Sequence, residues 1–293
     1  MTRVTVVGDV MLDVVARASG PVQPTSDTPA AVHVGRGGSA ANAAIRLASA
    51  GCDVTFVGAV GRDDVGRLVR AAFERAGVET RLLDVDEPTG VVVAIVDETG
   101  QRAMYTSRAA NRRLSLEHVT RELERPADHV HVSGYVVLDD DTRAVGGAAL
   151  ALARASAGSV SIDACSVGPL ARMGRSAFLT TSAPATVLFA NEEEAALLGG
   201  GPLERALEVL GGRYPEVVVT LGAGGAVART ADGIVRAPAM SRALDTTGAG
   251  DAATGAYLAA RLRGASPPAA LGAAMAAAGE VVTNLGADVQ SRR

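Results

Sequence analysis

The strongest constraint on the fold is the alternation that sets in near residue 112. Short, nearly all-apolar runs at 129–132, 159–162, 187–189 and 217–220 are separated by helical patterns at 116–124, 142–155, 191–198 and 203–210. Strands separated by helices run parallel, and strands apolar on both faces must be covered on both. The N-terminal half adds a strand at 3–7 ending in Gly8-Asp9, a helix at 39–50 and a strand at 54–60. A further helix, opened by 61–66 and running to Ala76, takes Asp63 or Asp64 as its N-cap. Four short runs break the alternation: 11–18, 30–34, 91–96 and 102–106, the last two a hairpin around Asp97-Glu98-Thr99-Gly100. They predict a small separate sheet that closes over a site at the edge of the main one.

Composition fits a single domain over 1–293, with lid strands drawn from about 11–34 and 88–108. The chain is 48% apolar but only 3% aromatic, with no Trp, so its core must be Val, Leu, Ala and Ile. A net charge of −4 without a basic block argues against a nucleic-acid surface. Cys52 and Cys165 lie in different elements and read as reduced thiols of a cytoplasmic protein. No leader and no bilayer-length apolar run is expected; the Ala-rich stretch at 269–278 reads as a buried helix.

The most informative stretch is Asp245-Thr246-Thr247-Gly248-Ala249-Gly250-Asp251, which opens a helix at 250–263. Free N–H groups and the positive end of the dipole suit an anion there, and Gly248 and Gly250 let it approach the backbone. A carboxylate at Asp251 would repel a phosphate that was merely bound. It suits a site where a hydroxyl gives up its proton and attacks phosphorus. Far upstream, Gly37-Gly38 opens a helix in which Asn42 can both donate to and accept from a polyol. His129 and His131 share a strand face but have no third ligand near in sequence, so they read as core. Asp139-Asp140-Asp141 reads as a helix cap, and Asp9 as a solvated turn carboxylate.

The string D-T-T-G-A-G-D-A at 245–252, with the paired glycines and Asn42 some two hundred residues earlier, resembles the two signatures of the ribokinase-like (PfkB) family of sugar and nucleoside kinases. The resemblance covers nearly the whole chain. It implies a three-layer α/β/α sandwich with a mainly parallel central sheet and a small β-sheet lid. It also implies ATP-dependent phosphorylation of a primary hydroxyl, with Asp251 as base and the N–H groups of Gly248, Ala249 and Gly250 on the transferring phosphoryl. Asp13, Gly37, Gly38 and Asn42 match acceptor-binding positions. Asn191, Thr220, Gly222, Gly225, Thr246, Gly248 and Gly250 match the nucleotide side. Asn191 and Glu194 match an N-x-x-E element that organises Mg²⁺ through water. Asp245, Thr247, Asn284 and Gly286 match the surroundings of a monovalent cation, K⁺, in relatives that need one. A homodimer through the lid is a further expectation.

Three departures bear on the acceptor. Cys165 stands where D-x-N is common, Ala109 replaces the glycine of G-A-N, and the usual acid near Ser133-Gly134 is missing. With Tyr105 the best lid candidate for stacking on a base, a free sugar ranks slightly ahead of a nucleoside such as pseudouridine or adenosine. A non-catalytic sugar- or nucleotide-binding regulator is the reading from another class.

Overall fold

The computed structural model describes residues 1–23, 25–97, 102–240 and 248–282. Nine strands form one sheet, in the order β13-β12-β11-β10-β9-β8-β1-β4-β5. Its parallel part comprises β1 (Arg3–Val7), β4 (Asp53–Gly61), β5 (Glu79–Val85), β8 (His129–Val132), β9 (Ser159–Asp163), β10 (Val187–Asn191) and β11 (Glu216–Thr220). β12 (Ala226–Thr230) and β13 (Gly233–Ala237) close one edge as an antiparallel hairpin.

Side chains alternate faces along each strand, and the core divides accordingly. Val7, Val57, Leu188, Val217 and Val219 pack with α3 (Leu116–Leu123), α4 (Gly134–Leu138), α5 (Arg143–Ser156), α6 (Val167–Met173), α7 (Arg175–Thr181), α8 (Glu192–Gly199) and α9 (Leu203–Gly211). Val4, Val6, Phe56, Phe189 and Val218 pack with α1 (Ser39–Ser49), α2 (Asp64–Arg75), α10 (Ala249–Leu262) and α11 (Pro267–Val282). This is the sandwich that the alternation predicts.

The second sheet has the order β3-β2-β6-β7, from β2 (Met11–Ala18), β3 (Ala30–Gly37), β6 (Gly90–Val96) and β7 (Arg102–Ser107). β2 follows β1 after a three-residue turn, and β3 leads through Gly38 into α1, so lid and main sheet share the same corner. Asn111 fastens that corner: its Oδ1 accepts from Val10 N at 3.0 Å and its Nδ2 donates to Val10 O at 3.0 Å.

Cross-strand partners share a face. Gly35, Asp13, Val92 and Thr106 form one row of the lid; Val34, Val14, Val93 and Tyr105 form the next, on the opposite face. Tyr105 therefore lies on the face away from Asp13, and the expectation that it stacks on an acceptor beside Asp13 is corrected.

Six elements escape the sequence reading: β5, α4, α6, α7 and the two strands of the β12–β13 hairpin. β5 is a partly exposed edge strand that carries Glu79, Arg81 and Asp84. The hairpin was signalled by Asp232-Gly233, a turn pair between alternating runs.

Candidate active site

The site forms where α1 and α10 start side by side. Asp251, in the first turn of α10, places Oδ1 2.7 Å from Ser39 Oγ, and its Oδ2 accepts from Asn42 Nδ2 at 2.8 Å. The two helices come this close because α10 carries Gly255 at the contact. A Cβ there would lie 2.8 Å from Arg46 Cβ and 2.9 Å from Ala43 O.

Gly248 is the N-cap of α10 with φ +76, a left-handed conformation that glycine adopts without strain. It has no side chain to cap the helix, so the N–H groups of Ala249, Gly250 and Asp251 face outward for an anion. Of the preceding residues, Asp245, Thr246 and Thr247 lie outside the described residues, as do Asn284 and Gly286.

The stretch expected to receive the acceptor is built from glycines for a spatial reason. A Cβ on Gly37 would overlap the carboxylate of Asp13, which lies across it. Gly38, at φ +97, brings α1 so close to the β1–β2 turn that a Cβ would stand 2.6 Å from Asp9 O. Asp13 is pushed up to about 6, chiefly by burial; the Arg36 guanidinium opposes the rise and the charge of Asp9 adds to it.

Four residues of this cluster lay outside the sequence-predicted site. Arg36 is buried and donates from Nη1 to Asn42 Oδ1 at 2.6 Å, orienting the amide that serves Asp251. Asp9 is not solvated: it is 2% exposed and accepts from Ser39 N at 3.2 Å and Ser133 Oγ at 3.1 Å. Asp163, at the end of β9, accepts on Oδ1 from Gly134 N at 2.6 Å and Cys165 Sγ at 2.8 Å, while its Oδ2 lies 2.9 Å from Ser39 Oγ. Ser39 thus touches both Asp163 and Asp251. The signal that could have found Asp9 and Asp163 is their place at strand C-termini, where an open parallel sheet binds its ligands. Burial pushes Asp251 up to about 7; the Asn42 and Ser39 bonds oppose the rise, and the charges of Asp163 and Asp9 add to it.

In the stretch expected to face the nucleotide, Asn191 and Glu194 make a reciprocal cap at the start of α8. Asn191 Oδ1 accepts from Glu194 N and Glu194 Oε2 from Asn191 N, both at 2.9 Å. Glu194 is buried and pushed up to about 7, first by burial and then by the charges of Asp163 and Asp251. A hydrated divalent cation beside it would favour its ionised form, so these residues fit Mg²⁺ held through water. Thr220 ends β11, and Gly222 and Gly225 shape the turn that follows, where Leu221 N donates to Gly225 O at 2.8 Å.

Two of the departures noted in the sequence share one physical character. Ala109 and Cys165 are the non-glycine residues with positive φ, at +38° and +63°, among those described. The family's Gly and Asn tolerate that region; alanine and cysteine do so at a cost.

His129 and His131 are buried in the core, as expected. His129 meets the Ser159 and Ser161 hydroxyls at 2.7 and 2.8 Å, His131 meets Ser161 at 2.8 Å, and burial pushes His129 down to about 3. No group of three or more candidate metal ligands exists among the described residues. Asp139 does not cap α5, whose N-cap is Thr142; it binds Arg108 Nε at 2.9 Å and Arg112 Nε at 3.2 Å.

Known proteins similar to this chain are sugar and nucleoside kinases. The chain is 34% identical over 269 residues to the ATP-dependent ribose-1-phosphate kinase of Halopiger xanaduensis, covering 88% of this chain and 84% of that protein. Adenosine kinase from Sinorhizobium meliloti superposes with a TM-score of 0.84 at 27% identity, covering 98% and 95% of the two chains. A double mutant of fructokinase from Vibrio cholerae O395, solved with fructose, ADP and potassium ion, superposes with a TM-score of 0.82 at 25% identity, covering 98% and 94%. The sequence profile of the pfkB family carbohydrate kinases matches residues 1–292, and the chain belongs to that family.

Proposed function

We propose that this protein phosphorylates a primary hydroxyl of a sugar at the expense of ATP, with Asp251 as the general base. The observation that carries the reading is the position of Asp251, a half-buried carboxylate held by Ser39 and Asn42 beside the uncapped start of α10. Asp251 takes the proton of the acceptor hydroxyl as that oxygen attacks. The N–H groups of Ala249 and Gly250, with Gly248 allowing close approach, receive the charge that gathers on the phosphoryl oxygens. Bound ATP with Mg²⁺ supplies the phosphoryl group and spreads its charge. Asn191, Thr220, Gly222, Gly225 and Thr246 hold the nucleotide side, and Glu194 with Asn191 steadies the hydrated metal.

Asp13, Gly37, Gly38 and Asn42 receive the acceptor. The lid face that carries Asp13 also carries Val15, His33, Val92, Ala94, Met104 and Thr106, with no Phe, Tyr or Trp to stack on a nucleobase. That ranks a free or phosphorylated sugar ahead of a nucleoside. The likeness to adenosine kinase supports the nucleoside as the second reading. K⁺ near Asp245, Thr247, Asn284 and Gly286 is proposed on the likeness to the fructokinase solved with it. The free thiols of Cys52 and Cys165 support a cytoplasmic setting, and no described helix is long and apolar enough to cross a membrane.

The test is ADP release measured side by side on ribose, fructose, 2-keto-3-deoxygluconate, ribose 1-phosphate, adenosine and pseudouridine, in K⁺ and in tetramethylammonium. Asp251→Asn should lower kcat about 10²–10⁴-fold on the preferred acceptor. Activity of this variant within about threefold of wild type would reject Asp251 as the base. ATP binding without turnover on any acceptor would favour a regulator, and equal rates in the two salts would remove K⁺.

A further inference from the structure

A proton count around Ser39 leads beyond this reading. Ser39 Oγ lies 2.7 Å from Asp251 Oδ1 and 2.9 Å from Asp163 Oδ2. A serine hydroxyl has one proton to donate, and an ionised carboxylate has none. With both aspartates ionised, one of the two contacts would set lone pair against lone pair. One additional proton makes both contacts hydrogen bonds: a carboxyl O–H donates to Ser39 Oγ, and the serine hydroxyl donates to the other carboxylate.

We propose that Asp163, Ser39 and Asp251 share one proton, and that its passage through Ser39 to Asp163 is what leaves Asp251 ionised and able to act as base. The inference rests on the reading of Asp251 given above. In the transfer, the O–H bond at Asp251 Oδ1 breaks as one forms at Ser39 Oγ. The original Ser39 O–H breaks as one forms at Asp163 Oδ2. Asp251 then takes the proton of the acceptor hydroxyl. Asp163 and Ser39 are positioning residues, since they act through Asp251.

The surroundings hold the heavy atoms so that only protons need to move. Ser39 is fixed by the bond from its N–H to Asp9. Asp163 is fixed through Oδ1 by Gly134 N and Cys165 Sγ. Asp251 is fixed through Oδ2 by Asn42, which Arg36 holds in turn. The charges facing the pair are mostly negative: Asp9 from the β1–β2 turn and Glu194 from α8. Arg36, on β3, reaches Asp251 through Asn42. His131, on β8, places Nε2 3.8 Å from Asp163 Oδ2, and its burial holds it neutral. Tyr135 on α4 and Cys165 after β9 are both pushed up, chiefly by burial, and stay neutral. Two adjacent ionised carboxylates are unfavourable in such a place, and burial already pushes Asp251 up to about 7.

The experiment joins infrared titration of carboxyl groups in the free protein to pH profiles of kcat/KM. Beside the carboxyls of Asp13 and Glu194, which every variant retains, wild type should show one further protonated carboxyl that titrates near neutrality. That band should vanish in Asp251→Asn and in Asp163→Asn alike, because either amide supplies the missing donor and frees the remaining carboxyl to ionise. Asp163→Asn should also shift the acid limb of the profile down by about one pH unit. In a Ser39→Ala background the same substitution should shift it much less, which separates a shared proton from through-space repulsion; Ser39→Thr should restore the larger shift. Survival of that further band in either Asn variant, or an equal shift with and without the Ser39 hydroxyl, overturns the proposal. If Asp163→Asn does not fold, Ser39→Ala decides: an unchanged band and an unchanged acid limb in that variant overturn the proposal. Turnover by Asp251→Asn refutes the base and leaves the infrared result standing, so the two failures are distinguishable.

Discussion

Replacing Asp251 by Asn should stabilise the protein, and more so as the solution becomes more alkaline. The folded-state value of about 7 stands above the ordinary 3.8 of an aspartate. Over that window the native chain binds the proton more tightly than the unfolded chain does. The associated stability is complete below the lower value and is lost as pH rises through the upper one. At about 1.4 kcal/mol per pH unit, the loss between about pH 5 and about pH 8 is about 3 kcal/mol for one isolated group. Sharing with Asp163 lowers the figure, and about 2 kcal/mol is the expected difference. Asn does not titrate, and its geometry fits: its carbonyl accepts from Asn42 Nδ2 and its amide donates to Ser39 Oγ, freeing that hydroxyl for Asp163. The assay is urea unfolding of both proteins at the two pH values, followed by far-UV circular dichroism because the chain has no Trp. Titrating groups not coupled to Asp251 are common to the two proteins and cancel; Asp163 and Glu194, which feel its charge, are part of the measured difference. A stability difference that does not change with pH, or that favours wild type at the alkaline end, would refute the reasoning.

Asp13→Ala should raise the acceptor KM about ten- to a hundredfold with a smaller change in kcat, since a charged hydrogen bond to hydroxyls is lost in ground and transition states together; an unchanged acceptor KM sinks this role. Cys165→Asn and Ala109→Gly should each stabilise by about 0.5–1 kcal/mol, because φ of +63° and +38° strains the present residues; a fall in stability on both would show the backbone is not strained there. The lid face away from Asp13 leaves Val32, Val34 and Tyr105 61%, 53% and 64% exposed, a patch that a second copy of the chain would cover. Light scattering should give a dimer mass for wild type and a monomer mass for Val34→Glu; a monomeric wild type rules the dimer out.

The sandwich was legible because Val, Leu and Ile runs at regular intervals leave a chain few other ways to bury them. Val4 and Val6 go to one face and Val7 to the other, as period-two alternation requires. The glycine-rich starts of α1 and α10 were legible for a related reason, since helices that approach so closely restrict what their first turns can carry. What was not legible is the link between them. Ser39 and Asp163 are common residue types whose joint contact with Asp251 depends on three elements meeting at one point. Asp9 looked solvated because turn aspartates usually are; the packing of α1 over the β1–β2 turn buries it. Arg36 could not be placed from sequence, because a charged residue on a lid strand gives no sign of whether it faces solvent or the interior. Tyr105 was misplaced by register alone: one residue along a strand reverses the face.

The seam between α1 and α10 also has a consequence for how the protein is made. Ser39 and Asp251 are 212 residues apart in the chain. At ribosomal speeds of about 5–20 residues per second, α1 waits about 10–40 s before the helix that completes its contact is synthesised. Throughout that interval the alanine face destined for α10 has no permanent cover, and the carboxylates of Asp9 and Asp13 stand beside a half-built corner. Neither end of a nascent chain can bind both reactants alone. The chain therefore gains its chemistry in one late event, when α10 docks, and a ribosome stalled short of that helix releases a product with no partial activity to report it.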